Sequence, residues 1–204
     1  GKEEMKQECV AAHTAGGKIR MLQKFQFEET DLEGVLKITP FCAYDVRGYL
    51  IKDYAKEVFE QYGIAYNLEE VFYTNSKKGV IRALHFQREY GQPKLVRCVW
   101  GRIFDVVVDL RKGSKTYQKW LGFELNEENK TEVLIPAGCA HGYLVLEDSV
   151  VSYKCAEKFY GEYDDGILWD DPDLHIDWPL EQINGQTILA DKDRHLQTFQ
   201  EFEE

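Results

Sequence analysis

The chain has 204 residues, of which 44% are hydrophobic, 13% aromatic and 30% charged. This is the composition of a globular protein, and the length suits one domain with a sizeable core. The net charge of -11 argues against non-specific attraction to nucleic acid or to an anionic membrane, because both partners would be negative. We therefore predict no nucleic-acid partner and no membrane partner.

Cysteine usage and the first residues bear on the compartment. The five cysteines, at an odd count and without a C-x-x-C pair, are Cys9, Cys42, Cys98, Cys139 and Cys155. A chain of this size does not need disulfides for stability, so we expect reduced thiols. The first twenty residues have no apolar core of a secretory signal. Together these features predict a cytoplasmic protein.

The N-terminal stretch differs from the rest of the chain. Residues 1–20 are polar and contain glycine, which predicts a flexible arm, or a short helix if something packs on it. Gly1 also fits an extension added for expression. No repeat and no linker follows, so residues 21–204 are predicted to form a single domain.

The next segments predict strands and one short helix. KFQFEE, from Lys24, alternates like a strand, and GVLKITPF, residues 34–41, is a second one, ended by Pro40. Asp45 to Gly48 predicts a turn that leads into another strand. YAKEVFEQYG, residues 54–63, predicts an amphipathic helix that ends at its glycine.

From Leu68 onward the pattern is strand and turn. Segments of six to nine residues rich in Val, Ile, Phe and Tyr alternate with turn residues, which is typical of an antiparallel sandwich or barrel. The predicted fold class is all-β. WDDPDLHIDWPL, residues 169–180, has few strand signals and predicts a loop or short helical turns over the barrel mouth.

Two histidines each end an apolar run. His85 closes the run in GVIRALHFQ and His141 the one in IPAGCAHGYL, while Arg82 and Lys94 add fixed positive charge near the first. Two imidazoles and two cations suggest a site for an anionic ligand. They do not suggest a metal site, because zinc or iron needs three or four well-placed ligands.

Plainer interpretations remain open for these residues. His85 also fits a core histidine hydrogen-bonded within the barrel, Lys94 a solvated strand-edge charge, and Tyr153 a core or rim tyrosine. Regular pleating places His85 and Arg82 on opposite faces of their strand. Arg82 then reaches the same ligand only through a bulge, or through a ligand bound across a subunit boundary.

The ordered motifs carry a resemblance. Pro136, Gly138 and His141 form a P-x-G-x-x-H turn similar to the second motif of cupin barrels. GVIRALHFQ, KLVR, FDVVVDLRKGS, NEENK, IPAGCAHGYLVL, YKCAEKFY, GILWDDPDL and LADKD follow in the order found in the dTDP-4-dehydrorhamnose 3,5-epimerase family of nucleotide-sugar 4-keto epimerases. The resemblance covers about Phe25 to Asp193.

The resemblance implies a cupin-like β-jelly-roll barrel with short peripheral helices. It also implies a homodimer in which N-terminal strands help to build the partner's site, and a reaction without metal or organic cofactor. The reaction implied is inversion at carbons next to a C4 ketone.

The catalytic residues implied by the resemblance match the chemistry. A weakly acidic proton alpha to a ketone needs a base, a cation on the enolate oxygen and an acid on the opposite face. His85 is the implied base with Asp193 as its partner, Lys94 the enolate stabiliser and Tyr153 the acid. His141 is expected near the ketone or the sugar.

The resemblance also implies substrate-binding residues. Arg47, Arg82 and Lys192 are expected to neutralise the diphosphate, since a guanidinium can bind two oxygens at once. Gln87 and Glu70 occupy two further positions of the family's binding blocks. The substrate implied is a nucleoside-diphosphate sugar.

Two blocks depart from the family's pattern. The D-x-R-G turn is usually followed by F-F-x-E, but here Leu50 and Lys52 replace the stacking aromatic and the acid. The family's Q-x-N block aligns with residues 70–72, EVF. These changes leave the nucleotide, the sugar and the number of inverted centres open.

The predicted activity is therefore epimerisation at C3, C5 or both. The substrate predicted first is dTDP-4-dehydro-6-deoxyglucose, converted to dTDP-4-dehydrorhamnose for rhamnose-containing polysaccharides. The alternatives are a 3-epimerase or keto-isomerase acting on another nucleotide sugar, and a non-catalytic sugar-nucleotide-binding cupin. Retention of the base and the acid together argues against the last.

Overall fold

The computed structural model describes residues 11–14 and 17–204. Within them the thirteen strands are β1 Ala11–Thr14, β2 Gly17–Leu22, β3 Phe25–Glu29, β4 Leu36–Thr39, β5 Phe41–Asp45, β6 Gly48–Lys52, β7 Glu70–Ser76, β8 Ile81–Gln87, β9 Lys94–Asp109, β10 Trp120–Asn126, β11 Glu132–Ile135, β12 Cys139–Cys155 and β13 Asp164–Gly166. The α-helices are α1 Lys56–Tyr62, α2 Asp191–Arg194 and α3 Phe199–Glu203, and 3-10 turns cover Gly161–Tyr163 and Leu180–Ile183. None of these helices has the length and apolar character needed to cross a bilayer.

All strand pairs are antiparallel, and one large sheet holds eleven of the described strands. Its order is β1-β2-β3-β4-β11-β9-β12-β8-β13, with β10 also on β9 and β7 also on β12. β5 and β6 form a separate hairpin. The all-β prediction and the cupin-like jelly-roll prediction are confirmed.

Two long strands connect the layers. β9 and β12 pair along most of their length, and their register shifts between Val145 and Val151. One half of each strand borders β7 and β11, and the other half borders β8 and β10. The segments of six to nine residues predicted from the sequence are shorter than these strands, because the register shifts do not end the pairing.

Three apolar clusters fix this arrangement. The lumen is filled by side chains such as Val96, Val107 and Val133. The outer face of β8, β9 and β12 is covered by the C-terminal segment, which contributes Trp178 and Phe199. This segment therefore packs on a sheet face instead of closing the barrel mouth, because Leu84 and its neighbours on that face are apolar.

The helix and the N-terminal segment differ in detail from expectation. α1 lies within the predicted residues 54–63 and ends at Gly63, which has a left-handed φ of 100°. Phe59 packs into the third cluster, formed with β3 and β4. β1 and β2 form a hairpin where an arm or a short helix was expected, because their backbones extend the sheet beyond β3. Residues 1–10 and 15–16 of the predicted arm lie outside the described residues.

Candidate active site

A cavity of about 200 Å³ opens between β7, β8, β9 and β12. It brings together most of the residues that the sequence singled out. Its lining consists of Phe72, Thr74, Arg82, His85, Phe86, Gln87, Gln92, Lys94, His141, Tyr153, Phe159, Asp164 and Lys192. A second cavity, of about 470 Å³, adjoins it and shares Arg82, His85 and Lys192.

A bulge in β8 places Arg82 and His85 on the same side. His85 pairs with His141, and Arg82 pairs with Tyr143, so three steps along β8 match two along β12. The extra residue breaks the alternation that regular pleating imposes. Gly142 lies opposite the bulge, where a Cβ would come within 2.3 Å of the Ala83 Cβ. Of the two routes foreseen for Arg82, the bulge is the one observed.

His85 is held by a carboxylate from the far end of the chain. Its Nε2 lies 2.8 Å from Oδ1 of Asp193, in α2. The backbone N–H of Ala83 donates to the other oxygen of this carboxylate at 3.4 Å. In the neutral tautomer whose Nε2–H donates to Asp193, the other ring nitrogen is the one that can accept a proton. The pair therefore has the arrangement of an oriented general base.

A second histidine–carboxylate pair lies behind the cavity. His141 Nε2 is 2.6 Å from Oδ1 of Asp105, and both side chains are almost completely buried. Burial raises the pKa of Asp105 and lowers the pKa of His141, because each charged form loses water. The same loss of water lowers the pKa of Lys94, which Asp105 and Asp164 partly oppose. Lys94 is thus a poorly solvated amine that interacts with the buried Asp105 and the partly exposed Asp164.

Tyr153 forms an aromatic wall of the cavity. The ring of Phe72 stacks on it at 4.6 Å, and the ring of His141 meets it edge-on at 5.8 Å. Tyr153 is 8% exposed, and burial followed by the neighbouring Tyr143 raises its pKa well above the usual value. Its proton is therefore retained at neutral pH.

The comparisons with known proteins agree with this geometry. The family model described as dTDP-4-dehydrorhamnose 3,5-epimerase matches residues 29–201. The chain belongs to this family. It is 45% identical to a dTDP-4-dehydrorhamnose 3,5-epimerase from Methanothermobacter thermautotrophicus, over 88% of this chain and 97% of that protein. The family predicted from the motifs is confirmed.

Two solved structures bear on the ligands of the family. An epimerase from Legionella pneumophila, in complex with dTDP-4-keto-L-rhamnose, has a TM-score of 0.81 and 35% identity, covering 85% of this chain and 92% of that one. A 3'-monoepimerase from Streptomyces bikiniensis, in complex with dTDP-quinovose, has a TM-score of 0.79 and 31% identity, covering 85% and 87%. Both double and single epimerases therefore share this fold.

Two residues that the resemblance implies as substrate-binding, Arg47 and Glu70, do not line the cavity. Arg47 is at the tip of the β5–β6 hairpin, with its side chain 86% exposed and its Nε donating to Asp45 at 3.1 Å. Glu70 accepts a hydrogen bond from the backbone N–H of Phe159 at 3.1 Å. A contact of Arg47 with a diphosphate stays a prediction.

Gln87 lines the cavity, but its amide is used by the backbone. Nε2 donates to the carbonyls of Tyr90 and Lys158, at 2.8 and 3.1 Å, and Oε1 accepts from the Tyr160 N–H at 2.8 Å. Gln87 therefore anchors the loop after β12. A direct substrate contact by Gln87 stays a prediction.

Lys192 and Arg82 supply positive charge at the cavity. Lys192 Nζ lies 2.6 Å from Oδ2 of Asp164, and the Arg82 Nε donates to the Ser76 hydroxyl at 3.0 Å. A guanidinium has five N–H groups and an ammonium has three. Each side chain therefore has N–H groups beyond these contacts that can bind a ligand.

Asp105, Thr74 and Tyr143 also surround this site and are not predicted from the sequence. The sequence does mark Asp105, because it interrupts the apolar run from Ile103 to Val108. A carboxylate buried in such a run needs a hydrogen-bond partner. No comparable signal marks Thr74. Among the described residues, no three His, Cys, Asp or Glu side chains come together as a metal site.

Proposed function

We propose that the protein epimerises a nucleoside-diphosphate 4-keto-6-deoxysugar at C3, C5 or both. The observation that carries the proposal is the convergence of an oriented histidine, a desolvated lysine and a protonated tyrosine on one cavity. Base, enolate stabiliser and acid are the three groups that inversion alpha to a ketone requires. The named activity of the relatives supports the same reaction.

The first step is removal of a proton by His85. The free ring nitrogen takes the proton from the carbon next to the C4 ketone, and the C–H electron pair forms the double bond of an enolate. Asp193 stabilises the imidazolium, as the carboxylate of a catalytic triad does. Lys94 donates a hydrogen bond to the developing oxyanion, in a site where desolvation strengthens that interaction.

The second step is protonation by Tyr153. Its O–H bond breaks, a new C–H bond forms on the other face of the carbon, and the ketone is restored. A tyrosine is a weak acid, but an enolate is a base strong enough to take its proton. Both steps are proton transfers, so no cofactor is part of the proposal.

The phosphates are proposed to lie at the cationic end of the cavity. Arg82 and Lys192 line both adjoining cavities and carry the charge that a diphosphate needs. dTDP-4-dehydro-6-deoxyglucose is the first candidate substrate, because the Legionella relative binds a dTDP 4-keto sugar. Inversion at C3 alone is the second candidate, supported by the likeness to the 3'-monoepimerase.

A homodimer is proposed to complete the site. The β5–β6 hairpin pairs with no other described strand and exposes Tyr44, Val46, Tyr49 and Leu50, each at least 52% accessible. β7 pairs with β12 and exposes Val71 and Tyr73 beside the cavity. Apolar side chains clustered on an unpaired hairpin are typical of a subunit contact. A second copy of this chain would bring Arg47 to the cavity. The compartment proposed is the cytoplasm.

The reaction is tested by proton NMR in heavy water. The protein is incubated with dTDP-4-keto-6-deoxyglucose and with the GDP and UDP analogues, and solvent deuterium is followed at C3 and C5. Deuterium at both carbons supports a 3,5-epimerase and deuterium at C3 alone a 3-epimerase. Failure of every analogue to exchange would contradict an epimerase.

A further inference from the structure

Tyr143 lies directly behind Tyr153 and is not one of the three groups that the proposed reaction uses. Its side chain is completely buried, in the same lumen cluster as Tyr153. The two rings lie side by side, with centroids 6.3 Å apart and planes tilted by 48°, and the nearby Tyr143 helps to raise the pKa of Tyr153. A second buried tyrosine in contact with the proposed acid is therefore available to exchange a proton with it.

Thr74 continues this contact toward the cavity. Its Oγ1 is 2.6 Å from the Tyr143 hydroxyl. Phe72 and Thr74 lie two residues apart on β7, so they share a face: the ring of Phe72 covers Tyr153 and the hydroxyl of Thr74 meets Tyr143. Thr74 is half-buried and lines the cavity, so its hydroxyl is within reach of water. The bonded hydroxyls of Thr74 and Tyr143 thus lie between the cavity and the ring next to Tyr153.

We propose that Tyr143 and Thr74 form a hydroxyl relay that returns a proton to Tyr153 after each inversion. Tyr143 is a positioning residue, since it acts through Tyr153 and does not touch the sugar. The inference rests on the proposed function, because it requires that Tyr153 is the acid.

The relay accounts for each proton. When Tyr153 protonates the enolate, its O–H bond breaks and a buried tyrosinate is left. The Tyr143 proton moves to that oxygen, the Thr74 proton moves to Tyr143, and water protonates Thr74. The hydroxide that remains is neutralised by the proton that His85 releases to solvent. No oxidant or other reactant is needed.

Burial favours such a relay. Tyr153 is 8% exposed, with Phe72 stacked on one side of its ring, and it meets the cavity that is proposed to hold the sugar. An ion left in such surroundings is unfavourable unless a donor reaches it. Tyr143 is the hydroxyl donor next to Tyr153 in the lumen, so it shortens the lifetime of the tyrosinate.

The relay is tested by rapid-quench kinetics on Tyr143→Phe and Thr74→Val. Each variant removes one hydroxyl and nearly preserves the shape. We expect the first turnover to run at the wild-type rate, with a burst of about one inverted centre per site. The steady-state rate should then be lower by about 10- to 100-fold, a smaller loss than removal of the acid itself would cause. kcat/KM should not change, so KM should fall together with kcat. Tyr117→Phe is the matched control, because the Tyr117 hydroxyl donates to the exposed Glu203 at 3.2 Å. This variant should show no burst.

Three results would overturn the relay. They are a steady state within twofold of wild type in Tyr143→Phe, a first turnover that slows as much as the steady state, and a burst in Tyr117→Phe. The second marks a structural role for the hydroxyl. A wild-type sample that inverts no sugar of the panel overturns the proposed function and the relay together, and so is told apart from failure of the relay alone.

Discussion

Asp105 and His141 are bonded at 2.6 Å in the floor of the cavity, and the second oxygen of the carboxylate has no partner among the described residues. Lys94 is close enough for this carboxylate to raise its pKa against the effect of desolvation. The pair therefore links the proposed enolate stabiliser to a buried negative charge that can keep it protonated.

Asp105→Asn is predicted to shift the alkaline limb of the pH–rate profile to lower pH. Removing the carboxylate removes one of the charges that raise the Lys94 pKa, so Lys94 loses its proton earlier as pH rises. The pH dependence of kcat measures this directly. An alkaline limb at the wild-type position would contradict the coupling.

Asp193→Asn is predicted to slow deuterium exchange by about 10² to 10⁴, because an amide cannot hold His85 in the accepting tautomer. Asp191→Asn is the matched control in the same helix, with its side chain 92% exposed. Exchange rates of both variants are compared by NMR. Equal rates in the two variants would show that the His85–Asp193 contact has no part in proton removal.

Arg47→Ala and His85→Asn subunits are predicted to complement each other. Each variant alone is expected to be inactive. Random mixing after mild denaturation should restore about a quarter of the wild-type activity, since half of the dimers are mixed and each has one intact site. Activity that stays at the level of the separate variants would contradict a site shared between subunits.

Glu132→Gln is predicted to stabilise the fold. Glu132 is completely buried, both its carboxylate oxygens are without partners among the described residues, and burial with the nearby Asp53 raises its pKa well above the usual value. An acid with a raised folded pKa lowers stability as pH climbs above its unfolded pKa of about 4.3. Glutamine does not titrate, so this loss disappears.

The expected gain in the free energy of unfolding is about 1 to 3 kcal/mol at pH 7 and smaller at pH 4.5. Urea unfolding at the two pH values measures it, with the exposed Glu128→Gln as control. A gain that is the same at both pH values would show that ionisation of Glu132 is not its source.

The sequence carried the family and much of the site because these depend on ordered motifs. The P-x-G-x-x-H turn and the strand before His85 have a local pattern that fixes which residues enter the lumen. Even the helix end at Gly63 follows from one left-handed residue.

What the sequence could not supply depends on long-range contacts. The bulge that puts Arg82 beside His85 arises from pairing with β12 and shows no local signal. Likewise the contact of Tyr143 with Thr74 joins residues 69 positions apart. The continuity of β9 and β12 was missed because turn-like residues within them form bulges instead of chain reversals.

The division of labour between His85 and Tyr153 is tested by measuring exchange and inversion in the same NMR sample. In heavy water with the active sugar, His85→Asn should show neither exchange nor inversion, since the first proton is never removed. Tyr153→Phe should retain exchange while inversion at one or both centres falls by about 10² or more. Equal loss of exchange and inversion in Tyr153→Phe would contradict separate roles for the base and the acid.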